Sequence, residues 1–157
     1  MREVELDRID RKILSHLQRN ARASNVELSE VANLSAPQCF RRHKRLEQAG
    51  VIAAYETRLN AARLGFGVTA FIHVTMDKGH IRDLPKFKNV VAGLPEIQEC
   101  YAVTGDFDYM LKVVARDLQS LSRFLMETLM KLPGVTAVRS SVCLDEIKCT
   151  SALPLAA

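Results

Sequence analysis

Apolar positions in the first sixty residues recur at helical spacing, separated by side chains that begin and end helices. Asp7 precedes the run Ile9, Ile13, Leu14 and Leu17, with Asp10 in its first turn, which predicts a helix from about Arg8 to Arg19. The stretch S-N-V-E from Ser24 has a capping hydroxyl and a glutamate three residues on. It predicts a second helix with Val26, Leu28, Val31 and Ala32 apolar, closed by Asn33 in the left-handed conformation. Ser35 opens S-A-P-Q, a further capping box with proline in the first turn, and the third helix is expected to end near Gly50. Only Asn33, Leu34 and Ser35 separate helices two and three, the short connector of a helix-turn-helix. The next ten residues, VIAAYETRLN, alternate loosely, as a strand or a small wing would. Gly65 and Gly67 then loosen the chain, so the expected division is a domain over 1–60, a linker over 61–67 and a second domain over 68–157.

The second half repeats itself. Leu94-Pro95-Glu96-Ile97 returns 38 positions later as Leu132-Pro133-Gly134-Val135, each time between a helical pattern and a strand. In the first copy Val68 to Met76 alternates as a strand, Leu84, Phe87, Val90 and Val91 mark a helix over Ile81 to Leu94, and Ile97 to Val103 reads as a strand. In the second, Tyr109 to Val114 is a strand, Leu118, Leu121, Leu125, Leu129 and Leu132 mark a helix, and Val135 to Leu144 is the last strand. Strand, helix, strand, twice over, predicts an α+β chain whose second half is a ferredoxin-like βαββαβ domain. Such a sheet packs both helices on one side and leaves the other side to a partner, of which a second copy is the simplest.

Composition narrows the function. The chain has 157 residues, 48% of them hydrophobic, enough for a packed core. It starts with a charged segment and has no apolar run near the roughly 18 residues of a membrane span, which favours a cytoplasmic protein. Cys39, Cys100, Cys143 and Cys149 form no CxxC pair and are expected to be buried thiols, not a metal set or a disulfide framework. His16, His43, His73 and His80 are dispersed. With no nucleophile–base ordering and no phosphate-cradling loop, neither an enzyme nor a cofactor is expected. The net charge is +4, with +3 of it in the first sixty residues, concentrated in Arg41, Arg42, Lys44 and Arg45. On the third helix Cys39, His43 and Leu46 share one arc, while Gln38, Arg41, Arg42 and Arg45 share another. A face of one sign costs a few tenths of a kcal/mol per repulsive pair, so something outside the helix compensates it.

A helix-turn-helix containing NVELSEVANLS and C-x-R-R-x-x-R-L-E-x-x-G-V-I, followed by a βαββαβ domain with IQECYAVTGDFDY and LPGV, resembles the Lrp/AsnC family of transcription regulators. The resemblance covers nearly the whole chain. It implies a winged helix-turn-helix that binds double-stranded DNA and a second domain that senses a small amino-acid effector. It also implies a homo-oligomer, a dimer assembling to a tetramer or octamer, with recognition helices entering successive major grooves. His43 departs from the aliphatic residue usual in the family at that place.

For DNA, Gln38 near the helix start suits adenine, Arg41 or Arg42 suits guanine, and Arg45 a turn later suits phosphate. Lys44 lies at the edge of the arc, and Ser24 and Ser35 offer hydroxyls at helix N-termini. Against this stands an Arg42 salt-bridged within its own domain. Thr104-Gly105-Asp106-Phe107-Asp108 is a tight turn that also sets two carboxylates beside backbone N–H groups, which suits a zwitterion. The resemblance implies that an amino acid binds between sensing domains around this loop: Gly105, Asp106 and Asp108, then Tyr101, Ala102 and Thr104, bind the effector, with Leu118, Ser141, Val142 and Cys143 as a secondary set lining its pocket. Two rivals are an architectural DNA organiser without an effector and a small-molecule enzyme whose helix-turn-helix docks a protein.

Overall fold

The protein is described from a computed structural model, which covers residues 4–77, 79 and 84–155. Three helices form near the start, each where a polar side chain can take up orphan N–H groups: α1 (Arg8–Leu17), α2 (Asn25–Ala32) and α3 (Ala36–Gln48). Asp7 and Asp10 cap α1 reciprocally: Asp10 N donates to Asp7 Oδ1 at 2.8 Å and Asp7 N to Asp10 Oδ2 at 3.2 Å. Ser24 Oγ accepts the Glu27 N–H at 3.2 Å, and Asn33 ends α2 at φ 52°. The apolar stripes meet in a core of Ile13, Leu14, Leu17, Leu28, Ala32, Cys39 and Leu46. Each fully buried Leu or Ile there contributes about 1.5–3 kcal/mol relative to exposure.

The segment Val51–Asn60 forms no strand; most of it runs exposed, with Val51 and Ile52 folded back onto the helical core. The chain divides into two compact units, Met1–Arg58 with Lys148–Ala157, and Leu59–Ile147. This differs from the expected division, because the C-terminal tail joins the helical unit instead of the sheet. Leu155 packs on the helical core, and the Gln18 amide pairs with the Leu153 backbone, accepting its N–H at 2.6 Å and donating to its carbonyl at 3.1 Å. Arg58 donates to the Cys149 carbonyl at 3.1 Å.

The second unit is a four-stranded antiparallel sheet, β1 (Val68–Met76), β2 (Ile97–Ala102), β3 (Tyr109–Ala115) and β4 (Val135–Val142), in the order β2-β3-β1-β4. Helices α4 (Leu84–Gly93) and α5 (Leu118–Glu127) cover one face, as the ferredoxin-like plan requires. Residues of period two, Ala70, Ile72 and Val74 with Tyr109, Leu111 and Val113, bury against Phe87, Val91, Leu121 and Phe124. The first residues of the expected fourth helix, Ile81 to Asp83, lie outside the described residues. The fifth helix, expected to run to Leu132, breaks at Thr128 into a 3₁₀ turn, Leu129–Lys131, that carries Leu129 into the core at 1% exposure. By register the uncovered face holds Glu99 and Tyr101, Met110 and Lys112, Phe71 and His73, and Arg139 and Ser141. Of the four cysteines only Cys39 is buried; Cys100 is exposed, and Cys143 and Cys149 are half-buried, so the expectation of buried thiols holds for one. Among the described residues no helix is long and apolar enough to cross a membrane.

Candidate nucleic-acid interface and effector loop

The face of α3 is organised from α1. Arg42, 30% exposed, donates through Nη1 to Asp7 Oδ2 at 2.6 Å and to Asp10 Oδ1 at 2.9 Å. Arg45, 53% exposed, donates to the other oxygen of Asp10, whose side chain is only 1% exposed. The Asp10 backbone N–H, then the Arg42 guanidinium, hold the Asp7 carboxyl below the usual aspartate range. Arg42 therefore has the internal salt bridge that stood against its DNA role, and α1 supplies the acids that compensate the all-positive arc of α3. Arg41 is exposed, and Lys44, also exposed, donates to Glu47 at 3.1 Å. Asp7, Leu34, Gln38, Arg41, Arg42 and Arg45 line a shallow cleft of about 400 Å³.

Gln38 is partly committed to the helix end, where its Oε1 accepts the Ser35 N–H at 3.2 Å and the Ser35 hydroxyl at 2.9 Å. The amide hydrogens on its Nε2 are the part left for a base edge, and the Ser35 O–H points inward to this cap. Ser24 is exposed and accepts its own cap bond.

His43, on the packing side of α3, is tied to the chain that leaves the helix. Its Nε2 lies 2.5 Å from the Tyr55 hydroxyl and its Nδ1 3.3 Å from Asn25 Oδ1, while Tyr55 donates to Glu47 Oε1 at 3.0 Å. Burial, reinforced by the Glu47 carboxylate, pushes the Tyr55 phenol up to about 12. Lys44 first, then Tyr55, hold Glu47 below the usual glutamate range.

In the other unit, Thr104, Gly105 and Asp106 are exposed at the turn between β2 and β3, and Gly105 takes φ 117°. Asp108 anchors the turn: its Oδ2 accepts the Met76 N–H at 2.7 Å, and its own N–H donates to the Val74 carbonyl at 3.0 Å. Phe107 stacks on His73 with centroids 4.5 Å apart, and the Arg139 guanidinium lies 5.7 Å from its ring centre. Tyr101, half-exposed, donates to Glu99 at 2.9 Å, and Ala102 is exposed beside it.

The candidate effector residues divide into two groups. Tyr101 and Ala102 lie on edge strand β2, next to the turn, whereas Ser141 and Val142 lie on the opposite edge, β4, three strand spacings or roughly 14 Å away. Val142 pairs with Ala70 and the Cys143 N–H donates to the Thr69 carbonyl, at the end of β1 remote from Val74 and the turn. Leu118, 62% exposed, begins α5 beyond the same end.

Asp7, Asp10, Tyr55, Phe107, His73 and Arg139 were not among the expected site residues. Asp10 carried a signal: with Ile13, Leu14 and Leu17 it sits at i, i+3, i+4 and i+7, a charge on the apolar stripe of α1. Asp7 was legible as a cap but not as a partner of Arg42, 35 residues on, and Tyr55, Phe107, His73 and Arg139 meet their partners outside any local pattern.

Two families match the chain: the winged helix-turn-helix DNA-binding family over residues 6–53 and the Lrp/AsnC ligand binding domain over residues 69–153. The leucine-responsive regulatory proteins of Klebsiella pneumoniae and Escherichia coli K12 are 43% identical over 144 residues, 92% of this chain and 88% of theirs. A transcriptional regulator of Neisseria meningitidis, solved as a complex with L-Met, superposes with TM-score 0.93 at 41% identity, covering 96% of this chain and 97% of that one. An AsnC family transcriptional regulator of Agrobacterium tumefaciens superposes with TM-score 0.90 at 33% identity, with the same coverage. These relatives are regulators of transcription, not enzymes. A capped helix-turn-helix with a basic third helix, joined to a four-stranded sensing fold, places the chain in the same group: it belongs to the Lrp/AsnC family of DNA-binding transcriptional regulators.

Proposed function

We propose that the protein is a sequence-specific regulator whose α3 reads the major groove and whose DNA binding or assembly responds to a small amino acid held at the 101–108 turn. The observation that carries the DNA assignment is the exposed side of α3, where Arg41, the Gln38 amide hydrogens and the outer edge of Arg45 meet one cleft. Arg41 is assigned to base edges, Arg45 and Lys44 to phosphate, and Ser24 and Ser35 to the flanks, with Arg42 a structural member.

Gly105, Asp106 and Asp108 with Tyr101, Ala102 and Thr104 form one part of the effector site. Leu118, Ser141, Val142 and Cys143 form another, which a neighbouring subunit would supply, since one sheet holds the two groups at opposite edges. The exposed Asp106 carboxylate suits an α-ammonium and the turn amides suit an α-carboxylate. The methionine bound by the Neisseria relative makes an unbranched apolar amino acid the first effector to try. Subunits are expected to join through the uncovered sheet face into dimers and then tetramers or octamers.

A thermal-shift screen with the twenty amino acids tests this, followed by footprinting and sedimentation with each hit. A true effector stabilises the protein logarithmically with concentration and changes footprint or particle size, because linkage requires unequal affinity for the two states. A panel in which stability, footprint and particle size all stay constant refutes the sensing assignment and leaves an architectural DNA organiser.

A further inference from the structure

We infer that Asp10 is a positioning residue for sequence discrimination: from inside the helical core it fixes Arg45 for DNA and, with Asp7, withdraws Arg42 from it. The inference rests on α3 being the DNA-reading helix. Its geometric basis is a single carboxylate, 1% exposed, whose two oxygens each take a different guanidinium of α3. The same group accepts the Asp7 N–H, so its own position is set by the first turn of α1. A long arginine on a free surface samples many rotamers and neutralises phosphate wherever it meets it. Arg45 is instead held at one end by a buried carboxylate that also accepts the Asp7 N–H, with half its surface still open. Arg42 is more enclosed, and Asp7 and Asp10 together balance its charge.

The charge balance gives the idea its test. Two acids set against Arg42 and Arg45 leave Arg41 as the α3 arginine without an ion pair among the described residues, with Lys44 beside Glu47. Loose phosphate attraction is thereby reduced, while the geometry of the remaining donors is kept. A purely structural Asp10 would behave differently, because its loss would weaken every mode of binding together.

The measurement uses the full chain and two duplexes: one recovered by the wild-type protein from a random pool and one scrambled version of the same length and composition. Asp10→Asn keeps an acceptor for the Asp7 N–H and removes the charge. It is expected to lower the ratio of selected to scrambled affinity at least ~10-fold, while affinity for the scrambled duplex holds or rises and its salt slope steepens by about 1. Asp10→Glu, which keeps the charge and the capping pattern, should recover most of the ratio. Arg42→Gln should leave the salt slope unchanged, whereas Arg41→Gln should reduce it by about 1.

A parallel fall of both affinities in Asp10→Asn, or an unchanged ratio, overturns the inference. Should Asp10→Asn fail to fold, Arg42→Gln decides alone, and a slope reduced by about 1 overturns it. A wild-type protein that enriches no duplex from the pool removes the DNA assignment of α3 itself, and the inference with it. Altered ratios in the variants bear on Asp10 only.

Discussion

Replacing Tyr55 by phenylalanine removes one oxygen and nothing else, at the point where the chain leaving α3 is tied back to it. That oxygen donates to Glu47 and faces the His43 Nε2, so the substitution leaves a carboxylate and an imidazole nitrogen each short of one partner. A hydrogen bond to a charged group contributes about 1.5–3 kcal/mol when buried. Here Glu47 is 30% exposed and Tyr55 47% exposed, so water replaces most of the loss and about 0.5–1 kcal/mol remains. For a unit of fewer than a hundred residues this lowers its Tm by roughly 4–8 °C per kcal/mol.

Hydrogen exchange on the full chain, read peptide by peptide with calorimetry alongside, locates the effect. Protection should fall over α3 and the following ten residues and stay constant in the sheet. The phenol adds a pH signature. Its folded pKa is raised, so its contribution is complete below the unfolded value of about 10 and is lost as pH rises through 10 towards the folded value of about 12. The Tyr55→Phe substitution should abolish that alkaline limb. An unchanged Tm, with unchanged exchange over α3, would refute the view that this network holds the exit chain to the helix.

Other outcomes are accessible to the same methods. Asp7 has a depressed folded pKa, so its stabilisation is complete above the unfolded value of about 3.9 and is lost as pH falls below it. Asp7→Asn should flatten that acid limb in urea titrations between pH 2 and 5. Gly105→Ala meets no atom within 4 Å, so its cost is backbone strain alone at φ 117°, about 1–3 kcal/mol, seen as a Tm several degrees lower in the sheet unit. Asp108→Ala removes the acceptor of the Met76 N–H and should cost about 1–2 kcal/mol by urea unfolding. Asp108→Asn, which keeps an acceptor, should cost less than half of that.

What could be read from the chain, and what could not, follows from the range of each interaction. The caps at Asp7, Ser24 and Ser35 join residues three apart, and the strands of the sheet show period-two alternation, so helices, strands and the ferredoxin-like plan were legible. The failures are long-range. Val51–Asn60 alternates loosely, as a strand or small wing would, but pairs with no strand among the described residues, and the tail from Lys148 returns to Gln18, 135 residues upstream of Leu153. How the turn residues and those of the last strand are distributed over one sheet is set by the strand order, which no local pattern carries. The order β2-β3-β1-β4 puts them on opposite edges.

The same reasoning explains α3. Its four cations are close together in sequence and look equivalent, yet two acids 32 to 35 residues upstream of their partners make them unequal, and only contact between α1 and α3 reveals which. Asp10 was the exception that could have been noticed, because a carboxylate on an apolar stripe is too costly to bury without a cation. The four-cation patch was itself the place to look for one. Matching a charge stranded in one helix's core face to an excess of the opposite sign on the next would have predicted the pairing, and with it the division of α3 into the arginines that α1 holds, Arg42 and Arg45, and Arg41, which has no ion pair among the described residues.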